Sequence, residues 1–429
     1  PPVRTSVQLT SGALAAGGDG VGRDAGGRVT FVARTAPGDR VRAVLIEQHR
    51  AWARGELAAV LTPSPARRKA PCPYFVDRRC GGCQWQHVSG EGQRAAKQAI
   101  VAGALRRQVA DGMALLPIAA PTPDYQWRRR ARLHWYRGPG ARAAVIGFLA
   151  PRSHRVTDIA DCAQLEPALE RALVVLRAQL GNALHGRGAI SMVVGERGAV
   201  HVAIEPADGV CDAEGEVAEA LIGQGGVTGV TVAGVDHGAA DVLLEDAGAW
   251  PALRGRADAF AQASLVGNHA LLEAVDTATR PRDGLQVLEL YAGGGNFTRV
   301  LARGAARVVA VDAVTVPWAV TDPVVERLVA SAEEAVVTLA AAGERFELAV
   351  LDPPRSGAAG AVDGLAALGV RRVVYVSCDP ATLGRDLGRL QAAGYRPDRA
   401  QAFDLMPQTA HVEVIAMATW VGAREGSAA

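Results

Sequence analysis

The chain has 429 residues, 49% of them apolar, and its 46 Lys and Arg against 44 Asp and Glu leave a formal net charge of +2. That length exceeds one ordinary core and predicts two or three domains; no run of 18 apolar residues predicts a membrane span, and no charged-then-apolar signal segment is visible. Six cysteines are too few for a secreted disulfide framework, and three of them cluster at Cys72, Cys80 and Cys83, which in a reducing cytosol reads as a metal site. The expectation is a cytoplasmic, multidomain protein.

The charge is unevenly spread. From Arg67 to Ala160, 17 Lys and Arg stand against 5 Asp and Glu, whereas residues 161–429 hold 21 against 34. A basic front on an acidic back predicts a polyanionic partner gripped by the front. A solvated basic face is the plainer alternative, but these arginines interleave with aromatics, at Tyr125-Gln126-Trp127-Arg128-Arg129-Arg130 and at His134-Trp135-Tyr136-Arg137. Phosphate contacts beside stacking rings are what nucleic-acid binding uses.

In chain order, residues 3–62 hold short strand-like runs (VRTSVQLT, GRVTFVAR, RVRAVLIEQH, ARGELAAVLT) between Gly, Asp and Pro turns, the pattern of a small β-barrel. Gly17 to Arg23 reads as a glycine-rich turn without the strand–helix frame of a nucleotide loop. A basic linker, residues 62–69, leads to Cys72-x7-Cys80-x2-Cys83. Three thiolates so close, with Gly81-Gly82 to let the backbone wrap, suit zinc or an iron–sulfur cluster. The fourth ligand would be Cys162 or Cys211, with His87 open to a zinc site. Helices are expected over Gln93–Val109 and Leu165–Leu184, a basic hairpin-like segment over 124–160, and a hairpin over Ser191–Glu205. From Asp258 strands and helices alternate, the sign of a doubly wound sheet. Its strands are predicted at Leu285–Leu290, Arg307–Asp312, Phe346–Asp352, Arg372–Cys378 and His411–Trp420, the last as an antiparallel edge strand.

The chemistry gathers in this last third. Gly293-Gly294-Gly295 turn from a strand into a helix opened by Asn296 and Thr298, and let backbone approach a ligand closely. Asp312 ends the next strand, where an acid accepts both hydroxyls of a ribose. A dinucleotide and S-adenosylmethionine are both open on this ground, and a P-loop is excluded. Asp352-Pro353-Pro354 then makes a rigid loop over that edge, followed by Arg355 where amino-methyltransferases place an aromatic; this favours methyl transfer to an anionic or carbonyl-bearing target. Cys378 falls at the carboxyl end of a strand, before a helix capped by Asp379 or Thr382, a position expected to lower a thiol's pKa. A thiolate adding to carbon-6 of a uracil makes carbon-5 nucleophilic, and a base must later remove the carbon-5 proton. Glu413, flanked by Val412, Val414 and Ile415, is the predicted base, partly buried and raised in pKa. No second cysteine lies in 346–360, which favours uracil over cytosine.

These motifs together (CGGCQWQH, RRRARL, SHRVTDIADC, FAQAS, the glycine loop, DPPRSGA, VSCDPATLGRDL and HVE) resemble the class I S-adenosylmethionine-dependent RNA (uracil-5-)-methyltransferase family. The resemblance is closest to its 23S ribosomal RNA branch, with an N-terminal TRAM domain and a [4Fe-4S] cluster. It implies an α/β chain divided into a TRAM/OB-like barrel (1–65), a central RNA-binding α+β domain with the cluster (66–257) and a Rossmann-like methyltransferase domain (258–429). It implies Cys72, Cys80, Cys83 and Cys162 as cluster ligands, Cys378 as nucleophile and Glu413 as base. Gln262, Tyr291, Gly293, Gly295, Asn296, Asp312 and Asp352 would line the cofactor site. The implied protein is a cytoplasmic monomer acting on RNA, with no DNA or membrane partner. Transfer RNA is the runner-up substrate, and a vestigial RNA-binding iron–sulfur protein the competing class. Three departures stand out: a first cysteine gap of seven residues rather than five, Ser264 where Asn is expected, and a shortened segment after Asp312. They leave Ser331 and Glu333 as candidates for the adenine contact.

Overall fold

Alternating apolar and polar residues close residues 6–62 into a barrel in the structure, a computed structural model that describes residues 5–207 and 214–422. Strands β1 (Ser6–Leu14), β2 (Gly20–Arg23), β3 (Val29–Val32), β4 (Arg40–Gln48) and β5 (Trp52–Thr62) follow the order β1-β2-β3-β5-β4, around Leu9, Val32, Val41 and Ala43. The glycine-rich stretch read as a turn supplies β2. Its glycines serve close packing: a Cβ on Gly20 would meet Thr35 Oγ1 at 1.8 Å, and one on Gly22 the Thr10 carbonyl at 2.3 Å.

The helix Gly90–Ala104 and strand β6 (Ala114–Ala119) leave the central region and join the large carboxyl-terminal sheet, where β6 runs parallel to a strand nearly 300 residues later. Val101, Leu105 and Met113 thereby enter the main core, each buried side chain stabilising by roughly 1.5–3 kcal/mol. This segment, read as central, packs with the carboxyl-terminal unit, because helical periodicity shows an apolar face but not its partner.

The central sheet contains β7 (Arg130–Arg137), β8 (Val145–Leu149), β9 (Val156–Asp158), β10 (Gly186–Val194), β11 (Val200–Pro206), β12 (Val227–Val232) and β13 (Val235–Gly238), in the order β13-β12-β11-β10-β7-β8-β9. The helices Pro167–Leu180 and Glu214–Leu221 cover one face. Trp127 and Trp135, read as stacking rings, are 2% and 1% exposed, and Arg129 is 5% exposed. On β7 it is Tyr136, 53% exposed, that faces out. A short hairpin, β14 (Val242–Glu245) with β15 (Leu253–Gly255), leads out of this region.

The large sheet takes β16 (Gln286–Leu290), β17 (Arg307–Asp312), β18 (Val325–Val329), β19 (Leu348–Leu351), β20 (Arg372–Ser377), β21 (Tyr395–Phe403) and β22 (Glu413–Trp420). Its order is β18-β17-β16-β19-β20-β22-β21-β6, with β18 to β20 parallel and β22 antiparallel to both neighbours. The last strand, expected at an edge, is therefore internal, and β6 takes the edge beyond β21. No helix joins β17 to β18; residues 313–324 form an irregular connection. Among the described residues no helix is long and apolar enough to cross a membrane.

Candidate active site

Strand order sets the site. Along one edge of the large sheet stand the carboxyl ends of β17 (Asp312), β16 (leading to Tyr291 and Gly293), β19 (Asp352) and β20 (Cys378). Antiparallel β22 begins at that same edge with Glu413. In open α/β sheets ligands bind at this edge, at the point where chain order reverses, here between β16 and β19.

A pocket of about 340 Å³ opens there, within the range of small-ligand sites. Gln262, Tyr291, Gly293, Asn296, Asp312 and Asp352 line it. Gly295 does not: at φ +99° a Cβ would strike Val320 and Arg327 at 2.8 Å, so this glycine serves the turn and its packing. Asp312 accepts the amides of Gly293 (2.8 Å) and Val314 (2.9 Å), which orients its carboxylate. Tyr291 leaves β16 in the left-handed region, φ +64°, a conformation costing a non-glycine residue on the order of 1 kcal/mol. Asn296 and Asn268 exchange side-chain hydrogen bonds (2.8 and 3.0 Å), and Asn268 donates to buried Glu245 at 2.6 Å. Ser264 caps the helix Leu265–Thr279 by accepting the Gly267 amide. Glu289, one residue inside β16, accepts from Thr298 Oγ1 at 2.6 Å, and burial pushes its carboxyl up to about 7.

Ser331 and Glu333 are not part of this pocket. Ser331 is the N-cap of the helix Ala332–Ala341, in a reciprocal capping box with Glu334, so its hydroxyl is already committed.

On the other side of Asp352, the β20–β22 ladder ends with Ser377 opposite Val414. One step further along an antiparallel ladder brings Cys378 opposite Glu413, at the spacing of a cross-strand pair. Asp379 caps the helix Pro380–Ala392, its Oδ1 accepting the amides of Ala381 and Thr382 at 3.0 and 2.9 Å. The expected lowering of the Cys378 thiol is not found. Burial pushes it up to about 11, the Glu413 and Asp352 carboxylates add to the shift, and the Arg355 guanidinium and a backbone hydrogen bond oppose it. A helix N-terminus lowers a thiol's pKa less than two buried acids and desolvation raise it. Burial likewise pushes Glu413 up to about 8, with Asp352 adding and Arg355 and Lys97 opposing, and raises Asp352 itself to about 7. His411, held down to about 4 by burial and by Arg355, is neutral at pH 7 and accepts from Arg355 through Nδ1 at 3.2 Å. Buried Asp386 accepts from Tyr375 Oη (2.6 Å) and the Ala358 amide (2.8 Å), tying the loop after Asp352-Pro353-Pro354 to the helix behind Cys378.

Cys72, Cys80, Cys83 and Cys162 line a second, small pocket, walled by Tyr74, Phe75, Phe148 and Ile159. Cys211 lies outside the described residues. His87 does not line it; its ring stacks on Phe75 at 5.8 Å. Gln164, 2% exposed, does line it, and neither end of its amide has a partner among the described residues. Burial pushes Cys83 up to about 12 and Cys162 up to about 11. Among the described residues no three Cys, His, Asp or Glu side chains converge closely enough for one metal ion.

Sequence reasoning passed over Asn268, Glu245, Trp318 and Lys97. Lys97 is fully buried, and its Nζ contacts Asp404 at 2.5 Å and the Met406 carbonyl at 3.1 Å. Its signal was present: a lysine on the apolar face of an amphipathic helix needs an anion to be buried.

A family model described as tRNA (Uracil-5-)-methyltransferase matches residues 339–419. The chain is 35% identical over 444 residues to 23S rRNA (uracil(1939)-C(5))-methyltransferase RlmD of Pseudomonas putida, covering 97% of this chain and 94% of that protein. It is 32% identical over 454 residues to the protein of that name from Pectobacterium atrosepticum, covering 96% and 93%. The crystal structure of Pyrococcus abyssi tRNA (uracil-54, C5)-methyltransferase with S-adenosyl-L-homocysteine shares the fold, at a TM-score of 0.68 and 20% identity over 97% of this chain and 100% of that one. The doubly wound sheet with its glycine turn and strand-end acid is that of an S-adenosylmethionine-dependent methyltransferase. With relatives this similar over nearly its whole length, the chain belongs to the RNA (uracil-5-)-methyltransferase family.

Proposed function

We propose that this enzyme transfers a methyl group from S-adenosylmethionine to carbon-5 of a uridine in 23S ribosomal RNA, through a covalent bond between Cys378 and carbon-6. The observation that carries the reading is that Cys378 follows directly on the Ser377–Val414 end of the β20–β22 ladder, near enough to Glu413 for that carboxylate to raise the thiol, beside a pocket lined by Asp352. The cofactor supplies an electrophilic methyl group. The Cys378 thiolate adds to carbon-6 and pushes electron density onto carbon-5, which takes the methyl group. Glu413 then removes the carbon-5 proton; the electron pair re-forms the 5,6 double bond and the thiolate leaves. A carboxyl near pKa 8 is a better match to that proton than an exposed one. Arg355, which follows the Pro-Pro pair, stabilises the Cys378 thiolate and the negative charge that passes to the uracil ring when the thiolate adds.

The four cysteines fit a [4Fe-4S] cluster better than zinc. Their thiols surround one pocket without converging on a single-ion point, and the partnerless Gln164 amide is a donor suited to a cluster sulfide. When bound, the cluster would cross-link the segment 72–83 to Cys162; the methyl transfer needs no electron from it. The chain is read as a cytoplasmic monomer whose basic amino-terminal half, with the small barrel, holds the RNA.

The experiment is incubation with methyl-labelled cofactor and ribosomal RNA transcripts, with transfer RNA as comparison. Label appearing as 5-methyluridine in 23S RNA supports the reading, and its absence from every RNA offered overturns it.

A further inference from the structure

We propose that Trp318 is the adenine-binding wall of the cofactor pocket. The inference rests on the reading of that pocket as the S-adenosylmethionine site. The direction of the bound cofactor follows from strand order. Its methyl group must reach the β20 edge, where Cys378 stands beside Asp352 on β19. Its ribose belongs at Asp312, the acid that ends β17. The base, attached beyond the ribose, must then lie past β17, toward β18.

The structure puts the irregular 313–324 connection on that side. Val314, Val316 and Trp318 come from it and line the pocket at alternate positions after Asp312. Trp318 is the planar surface among them. It is anchored rather than loose: a Cβ on Gly294 would lie 3.7 Å from its Nε1, so the ring packs on the glycine turn. The Arg256 guanidinium, which does not line the pocket, sits 5.4 Å from the ring centroid, itself held by Asp236 at 2.7 Å and Asp258 at 2.9 Å. The Val320 amide donates to the Gly294 carbonyl at 3.0 Å, so the far end of the connection is pinned to the same turn. A flat, anchored indole beside a ribose site is a stacking platform for a purine.

The test is binding of S-adenosylhomocysteine and of adenosine to the full-length protein. Trp318→Ala should weaken both by the same factor, roughly 5- to 100-fold, the range of one base–aromatic stack. Trp318→Phe should keep affinity within about threefold of the original protein but lose the ligand-induced change in tryptophan fluorescence. Unchanged affinity in Trp318→Ala, or a full fluorescence response in Trp318→Phe, overturns the inference; the second measurement decides if the alanine variant does not fold. If the unaltered protein binds neither ligand, the reading of the pocket itself has failed instead.

Discussion

Gln93 and Gln408, 315 positions apart in the chain, are joined by two hydrogen bonds: Gln93 Nε2 donates to Gln408 Oε1 at 2.9 Å, and the Gln408 amide donates to Gln93 Oε1 at 2.8 Å. The Gln408 carbonyl also accepts the amides of Gln84 and Trp85, at 3.0 and 2.9 Å. The loop that delivers Glu413 to Cys378 is thus gripped from one side by the helix Gly90–Ala104 and from the other by the residues just after Cys83. Gln93→Ala would leave the carbonyls of Trp85 and Val88 and the Gln408 amide without their buried partner. The expected cost is about 2 kcal/mol in stability. Turnover should fall about tenfold while the dissociation constant for S-adenosylhomocysteine stays unchanged; thermal unfolding, single-turnover kinetics and titration read these separately.

The paired roles of Cys378 and Glu413 separate cleanly by mutation. Cys378→Ala is expected to abolish methyl transfer without weakening cofactor binding. Glu413→Gln should complete addition and transfer but not release, leaving a protein–RNA adduct that survives denaturing electrophoresis. Normal turnover by Glu413→Gln would remove it from the mechanism.

The pH dependence follows from burial of the base. Glu413 acts only as carboxylate, and its pKa lies near 8 rather than 4.5. Single-turnover release should therefore rise with pH, about tenfold per unit well below 8, and level off above it. In the free enzyme the thiol near 11 makes kcat/KM continue to climb past that point. A flat profile between pH 6 and 8 would show that proton removal from carbon-5 belongs to another group.

The same burial makes Glu413 a stability liability with a definite sign. Its folded pKa is raised, so the protonated form favours the fold, and that advantage is complete below about 4.5 and is lost as pH rises through about 8. Glu413→Gln should match the unaltered protein in melting temperature at pH 4 and exceed it by a few degrees at pH 9. A stabilisation independent of pH would contradict this account.

For the cysteine pocket, Cys162→Ser is expected to remove most iron and acid-labile sulfide from protein purified without air, and to lower the melting temperature. Cofactor affinity should change little, since the two pockets share no lining residue. Retained iron would point to ligands other than these four.

Much of the site was readable along the chain because its parts are local. A glycine turn after a strand, an acid at a strand end, Asp-Pro-Pro and Ser-Cys-Asp-Pro each announce their backbone conformation, and β16, β17, β19 and β20 could be placed from apolar runs, whereas parallel β18 could not. What the sequence by itself determined is therefore the inventory: which residues can do covalent chemistry, hold a ribose or bind a cluster, and roughly where each strand ends. Only the tertiary structure decided their relations. It made β22 internal and so set Glu413 against Cys378, and it brought the helix Gly90–Ala104 and β6 onto the far edge of the same sheet. It sent Trp127, Trp135 and Arg129 inward, and it reversed the expected pKa of Cys378. The physical reason is common to all of these: burial, strand pairing and the field from neighbouring charges arise between segments hundreds of residues apart, and local periodicity carries no record of which distant surface will cover a given face.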